Sequence, residues 1–256
     1  MKKPYYIIDF SASACLFEIR VNDYPVIQMN IEGQVSSMIP INYAILETGK
    51  QIISATILPF IGSTELHSKS ELKFNIKLFD VSNDFVFDKQ FCDYQSEPIQ
   101  KKGIPIIKYI NTFLAEVPYK LSAWQNGENL KDIKKCREKL ELAYNNIAKI
   151  IQNKQYDIFK SLISKRESNM ATSMYLSEEE KQNRVEGLLS DFNSGFKVQP
   201  IPKECVMFLY ADNRVAMLKK INGESALYLK NKETEEELML DISFYIPKCK
   251  EEFEII

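Results

Sequence analysis

The segment Leu72-Lys73-Phe74-Asn75-Ile76-Lys77-Leu78 alternates between apolar and polar residues over all seven positions. A period of two places the apolar side chains on one face of a β-strand, so the segment predicts a strand with one buried face. A half-buried strand needs a second layer to cover its apolar face. Because several short strands with turn residues between them surround this segment, the first half is predicted to be an antiparallel β-sandwich.

The same alternation occurs upstream in Cys15-Leu16-Phe17-Glu18-Ile19-Arg20-Val21. Asn22-Asp23 then provides turn chemistry before the apolar residues of 24–27, which predicts a β-hairpin. Pro25 lacks a backbone N–H, so the second strand of this hairpin is expected to lie at an edge of the sheet or to begin there. Further strands are predicted at 51–58, 85–91 and 104–110.

Beyond residue 127 the apolar residues change to helical spacing. Leu130, Leu140, Tyr144 and Ile151 share one stripe with several other apolar residues, which predicts a helix of about six turns. A second helix is predicted at 155–165, and a third starts at Ser177, which forms a capping-box pattern with the residue three positions later. The remaining strands are predicted at 205–210, 215–218, 225–229, 238–246 and 253–256.

Two domains follow from this change of pattern: a β-sandwich domain over 1–125, and an α+β domain over 126–256 with helices packed on an antiparallel sheet. The boundary is placed where Pro118, Asn126 and Gly127 cluster. The predicted fold class of the whole chain is therefore α+β.

Composition excludes several classes of function. The chain has 256 residues, with 33 basic and 35 acidic side chains and a formal net charge of -2, so no electrostatic footprint for nucleic acid exists. No apolar run reaches the roughly 18–20 residues of a membrane helix, and the first apolar run stops at Asp9, too early for a signal peptide. The five scattered cysteines include no CxxC pair, which is typical of reduced thiols. We therefore expect a cytoplasmic protein without membrane insertion.

No motif for catalysis, cofactors or metals emerges. His67 is the single histidine and lies in a polar loop, so no Cys–His or Ser–His–Asp arrangement is indicated. Glycine-rich phosphate loops and zinc-ligand spacing are absent from the sequence. The sequence thus predicts no catalytic residue, no cofactor and no metal site. Asp157 and Glu141, on or near the helices, are the candidates for a carboxylate-dependent enzyme with a pocket in the second domain.

The order of the elements carries a resemblance in the second half. A long amphipathic helix from Leu130, two shorter helices and then four strands resemble the cystatin-like cone of nuclear-transport-factor-two-like proteins. That resemblance implies a cone-shaped pocket. Enzymes of that superfamily commonly use His and Asp residues in the pocket, and this half of the chain has no His.

The first half contains Val21-Asn22-Asp23-Tyr24-Pro25-Val26, followed later by Gly49-Lys50-Gln51. These residues resemble a β-sandwich module of bacterial accessory and immunity-type proteins. The resemblance implies a small protein that acts on a partner protein.

These observations favour a non-catalytic bacterial binding protein, an immunity-type protein that neutralises a partner protein by occlusion. The residues predicted to contact the partner are Trp124 and Tyr119, near the domain boundary, and the turn residues Asn22 and Asp23. The alternative is a small-molecule-binding protein or carboxylate-dependent enzyme that uses a cone-shaped pocket in the second domain.

Overall fold

The computed structural model describes residues 2–256, which form three α-helices and thirteen β-strands in an α+β fold with antiparallel sheets. The chain divides into two compact units. The first ends at Leu121 and the second is Ser122–Ile256. None of the helices in the described residues is long and apolar enough to cross a membrane.

The first unit is built around one long strand. β1 pairs with β2 along almost its whole length, while its other edge is shared by β4, which pairs with residues 4–13, and β3, which pairs with residues 16–21. The strand order of the sheet is β5-β4-β1-β3-β6, with β2 beside β1, and each pair is antiparallel. The strands are β1 (Pro4–Val21), β2 (Tyr24–Pro40), β3 (Gly49–Leu58), β4 (Glu71–Asp80), β5 (Val86–Gln95) and β6 (Ile107–Ala115).

The six-stranded sheet curls into a half-barrel around an apolar core. Alternate residues of β1 point inward, with a shift of one position near Ala14, and Ile8, Phe10, Phe17 and Ile19 are at most 2% exposed. The prediction of β4 from its alternation is confirmed, as is the hairpin at residues 22–23. Pro25 lies next to the first residue of β2, and β2 is an edge strand, as its proline predicts.

The second unit packs three helices on short strands. The helices are α1 (Cys136–Gln152), α2 (Tyr156–Ser173) and α3 (Glu178–Asn193). Two antiparallel sheets follow, with strand orders β11-β10-β7 and β13-β12-β9-β8. Their strands are β7 (Phe196–Val198), β8 (Val206–Tyr210), β9 (Val215–Lys219), β10 (Tyr228–Asn231), β11 (Glu237–Met239), β12 (Phe244–Tyr245) and β13 (Glu254–Ile255).

The buried Tyr144 links α1 to the second unit's core. Its hydroxyl donates to the Ile242 carbonyl at 2.9 Å and accepts from the Leu218 amide at 3.0 Å, so this polar group is satisfied inside an apolar cluster. The bonds fix α1 against β9 and against the segment between β11 and β12.

Three predicted boundaries in this unit are wrong. The first helix starts at Cys136, because Leu130–Asp132 forms a separate 3-10 turn capped by the Asn129 side chain. The predicted strand 238–246 is split, since its first part pairs in one sheet and its last part in the other. The strand expected at 225–229 begins at Tyr228. The predicted capping box of α3, between Ser177 and Glu180, is confirmed.

Candidate functional site

The outer edge of β2 is open along the sheet. Its inner edge pairs with β1 from Pro40, opposite Ile7, to Tyr24, opposite Val21. No second strand within residues 2–256 pairs with β2, and no backbone–backbone bond reaches its outer edge. An open edge presents a row of unpaired N–H and C=O groups, which is a template for another strand.

Part of this edge lacks the features that usually block strand pairing. A register shift opposite Cys15 marks a bulge at Glu32 and Gly33, and from there residues 34–39 contain no charge, proline or glycine. Ser36, Ser37 and Met38 are exposed, and Met38 is 59% accessible. The open edge is therefore polar but uncharged, with one flexible apolar side chain on its surface.

β5 and β6 are the other two end strands of the sheet. They face one another, and aromatic side chains fill the space between them. The Phe91 and Phe113 rings lie 5.6 Å apart and the Tyr94 and Tyr109 rings 4.1 Å apart. The Cys92 thiol also donates to the Thr112 carbonyl at 3.8 Å. Aromatic packing of this kind joins the inward faces of β5 and β6, while their outward side chains, such as Leu114 at 74%, are exposed. Both strands carry charged residues, so β2 differs from them by its uncharged run at 34–39.

The predicted contact residues Asn22 and Asp23 form the hairpin turn between β1 and β2. Both have positive φ angles, 53° and 58°, the conformation of a two-residue type I′ turn. The Asn22 amide donates to the Ala44 carbonyl at 2.9 Å and to the Gln51 side chain at 2.7 Å, and its oxygen accepts from the Ile52 amide. Asp23 forms an ion pair with Arg20 at 2.8 Å. The turn is thus fixed to β3 by its own side chains.

The aromatic candidates occupy structural positions within their own units. The Tyr119 hydroxyl donates to the Asn42 carbonyl at 3.0 Å in the first unit. Trp124 is 8% exposed in the second unit, where it starts a 3-10 turn. Sequence reasoning did not identify the edge of β2, because the alternation of Ile27, Met29 and Ile31 is followed by the mostly polar residues 32–37. The available signals were Pro25 and this short alternation.

The second unit contains a groove of about 400 Å³. It lies between α2, α3 and the segment that joins β11 to β12, and apolar side chains such as Ile163, Leu188 and Leu240 line it. This volume is within the range of small-molecule sites, about 300–1,000 Å³. The predicted candidates Asp157 and Glu141 do not line the groove. Glu141 instead pairs with Arg137 at 2.8 Å.

Glu167 is the buried carboxylate of this groove, with a side chain only 6% exposed. One of its oxygens accepts from the Arg166 guanidinium, and the other accepts from Arg184 Nε at 3.3 Å. We call these three residues the Arg–Glu–Arg clamp. A buried carboxylate held by two guanidinium groups is compensated electrostatically, and the clamp joins α2 to α3.

Burial dominates the acid–base chemistry of four of the five cysteines. All five cysteines are free thiols. Burial raises the pKa of Cys15 to about 11 and also raises the pKa values of Cys92, Cys136 and Cys205, which keeps these thiols protonated and weakly nucleophilic. Within residues 2–256, no group of three or more His, Cys, Asp or Glu side chains could hold a metal ion.

Comparison of the chain with protein-family models, with curated proteins and with solved structures finds no match. The candidate sites therefore rest on the geometry of this chain.

Proposed function

We propose that this protein is a non-catalytic binding protein whose β2 edge pairs with an extended segment of a partner polypeptide. The observation that carries the proposal is the open outer edge of a 17-residue strand. Strand addition uses main-chain hydrogen bonds for affinity, and the side chains alongside it provide specificity. Pairing with β1 already holds β2 extended, so little ordering is required of the protein when a partner binds.

The partner segment has a definite chemistry. Opposite residues 34–39 it is uncharged, because a charge placed there would lose water without gaining an opposite charge. The Glu32 side chain is exposed at the bulge and has no ion pair or hydrogen bond with any residue of the described chain. A Lys or Arg in the partner, next to an uncharged stretch of about six residues, complements this arrangement.

The finer features of the proposal come from the resemblances. We propose an immunity-type role in the bacterial cytoplasm, in which the added strand occludes part of the partner protein. We also propose a β-sandwich as the parent architecture of the first unit. For the second unit we propose a cystatin-like cone. The half-barrel and the helices packed on antiparallel strands support these assignments at the level of a mixed α+β fold.

A peptide display library tests the strand-addition function directly. Selection from random peptides of about ten residues is expected to enrich segments with one basic residue beside an uncharged β-branched stretch. On binding, these peptides are expected to protect backbone amides of β2 from hydrogen exchange while amides of β1 change little. Peptides that bind without protecting β2 would contradict the proposal.

Two proline substitutions form a matched pair. Adjacent residues of a strand direct their N–H groups to opposite edges, so Ser36→Pro and Ser37→Pro remove donors from different edges of β2. The variant that loses the outward donor is expected to weaken peptide binding at least tenfold and to leave the β1 pairing intact. The other variant is expected to lose stability. If both variants bind the peptide as the parent does, or if β2 pairs with a second copy of this chain at micromolar concentration, the proposal fails.

A further inference from the structure

The groove of the second unit has charges of opposite sign at its two ends. Arg184, Leu188 and Asp191 all line it from α3. Arg184 and Asp191 are seven residues apart, which is two helical turns on one face and roughly 10 Å along the axis. An elongated ligand in the groove therefore meets a guanidinium at one end, Leu188 in the middle and a carboxylate at the other end.

The cationic end keeps hydrogen-bonding capacity. Arg166 and Arg184 together place two positive charges around the single negative charge of Glu167, so the Arg–Glu–Arg clamp has a net charge of +1. The Arg184 side chain is 45% exposed and donates to Glu167 through Nε. Its terminal N–H groups are not used by any described residue, and they match the geometry of a carboxylate.

The acidic end is exposed to solvent and has no partner within the described residues. The Asp191 side chain has no ion pair or hydrogen bond with any residue between 2 and 256, and the same holds for Asp241, a second acid that lines the groove. Between the two ends the walls include Ile163, Leu188 and Leu240. The site thus combines one anion-binding end, one ammonium-binding end and an apolar middle.

We propose that this groove binds a short apolar peptide of about three residues with both termini free. Three extended residues span about 10 Å at roughly 3.3–3.6 Å per residue, which equals the separation of Arg184 and Asp191 along α3. The terminal carboxylate binds the clamp, the terminal ammonium binds Asp191, and the side chains contact Leu188 and Leu240. This function is separate from strand addition on β2.

Other small ligands fit these charges less well. A free amino acid is too short to reach both ends of the groove. A fatty acid has no cation that could pair with the exposed carboxylates of Asp191 and Asp241, and a multiply charged anion would be repelled by them. The proposed ligand is therefore recognised by an affinity that depends on both free termini and on the length of the peptide.

Calorimetric titration with the tripeptide Leu-Ala-Leu tests the proposal, alongside its N-acetylated form, its C-terminal amide and the dipeptide Leu-Leu. We expect the free tripeptide to bind, and we expect each capped form and the dipeptide to bind at least tenfold more weakly, because each loses one charge-assisted contact. Blocking the groove with Leu188→Glu is expected to abolish binding.

Two variants assign the termini. Asp191→Asn leaves the clamp intact and is expected to bind the free and the N-acetylated tripeptides about equally. Arg184→Gln is expected to bind the free tripeptide and its C-terminal amide about equally. Lys160→Gln, which removes an exposed ion pair with Glu186 outside the groove, is the control and is expected to bind as the parent does.

Several results would overturn the proposal: no binding of Leu-Ala-Leu at millimolar concentration, equal affinity for free and capped forms in the parent protein, or unchanged binding in Leu188→Glu. Thermal unfolding of each variant shows whether it is folded. The groove lies in the second unit and β2 in the first. A negative result with Leu-Ala-Leu would therefore not bear on strand addition, which the peptide selection tests separately.

Discussion

The six-stranded sheet has two kinds of end strand. β5 and β6 pack against each other through aromatic rings on one side of the sheet, and β2 lies without such a partner on the other side. On one side, β5 and β6 face each other and share an aromatic cluster that includes Phe91 and Phe113. On the other side, β2 has its outer edge open, and its central residues are mostly exposed. Both sides belong to one sheet, so the difference does not come from the strands' own pairing. It comes from side chains: aromatic rings pack between β5 and β6, while no further strand of the described residues lies beside the outer edge of β2.

This difference separates stability from function in the first unit. The covered side excludes water from apolar rings and contributes to the free energy of folding. The open side contributes little to it through its outer edge, so it is free to bind. Substitutions on the two sides are expected to have opposite signatures: large losses of stability on the covered side, and losses of binding on the open side.

The largest effect is expected from Phe113→Ala on the covered side. Phe113 is 5% exposed and contacts the rings of Tyr6 and Phe91. Removal of a buried ring of this size lowers the free energy of unfolding by about 3–5 kcal/mol. Urea unfolding followed by tyrosine fluorescence measures the change. A loss below about 1 kcal/mol would show that the covered side is not a packed core.

A smaller loss is expected from Asn22→Ala, which releases the β1–β2 turn from β3. The substitution removes two donated hydrogen bonds and one accepted bond, and it places alanine at a positive φ. We expect a loss of about 1–3 kcal/mol with the same urea assay. Asn30→Ala, which removes a single bond from the Ile61 amide, is the matched control and is expected to cost less.

If Asn22 instead acts as a partner contact, its substitution would leave the stability unchanged and weaken peptide binding. That result would restore the role that the sequence suggested for the turn. It would also move the binding surface away from the open edge and toward the end of the hairpin.

Cys15 on β1 is expected to make the free energy of unfolding depend on pH. Burial raises the pKa of the Cys15 thiol from about 9 to about 11, so the folded state holds this proton more tightly than the unfolded state. The contribution is present in full below about pH 9 and is lost as the pH rises toward 11, at most about 2–3 kcal/mol. When the pH is raised from about 8 to about 10.5, the unfolding free energy of Cys15→Ala is expected to fall less than that of the parent. Parallel curves for the two proteins would contradict this linkage.

The smallest effect on stability is expected from Met38→Lys on the open side. Met38 is 59% exposed, so the unfolding free energy is expected to change by less than about 0.5 kcal/mol. A lysine on the edge strand is nevertheless expected to weaken strand addition about tenfold. Leu114→Lys on β6, where the side chain is 74% exposed, is the matched control and is expected to bind the peptide normally.

Local patterns predicted the elements well where one face is buried. Residues 72–78 alternate because β4 has the core on one side, and Ser177 caps α3 through the bonds that its sequence pattern indicates. β2 was not predicted beyond residue 27: Ile27, Ile31, Val35 and Ile39 pack on the core, but Val35 is the single apolar residue within 32–37 and the alternation is too sparse to recognise. The two ends of β1 likewise merge into one strand of 18 residues only through their partners β4 and β3.

The groove was beyond the reach of sequence patterns for a different reason. Lys165-Arg166-Glu167 is a charged run that is typical of a solvated helix face. Glu167 is buried because Arg184, 17 residues away on α3, brings a second guanidinium to it. Long-range charge pairing of this kind depends on how two helices pack, and neither helix encodes it alone.

The central claim is that the outer edge of β2 is open in the free protein. Residue-resolved hydrogen exchange on the free protein at micromolar concentration tests it most directly. We predict that every second amide along residues 26–39 exchanges orders of magnitude faster than the amides of β1, because alternate N–H groups of an edge strand face solvent. Uniform protection along β2 that matches β1 would show that the edge is already paired, and would contradict the account.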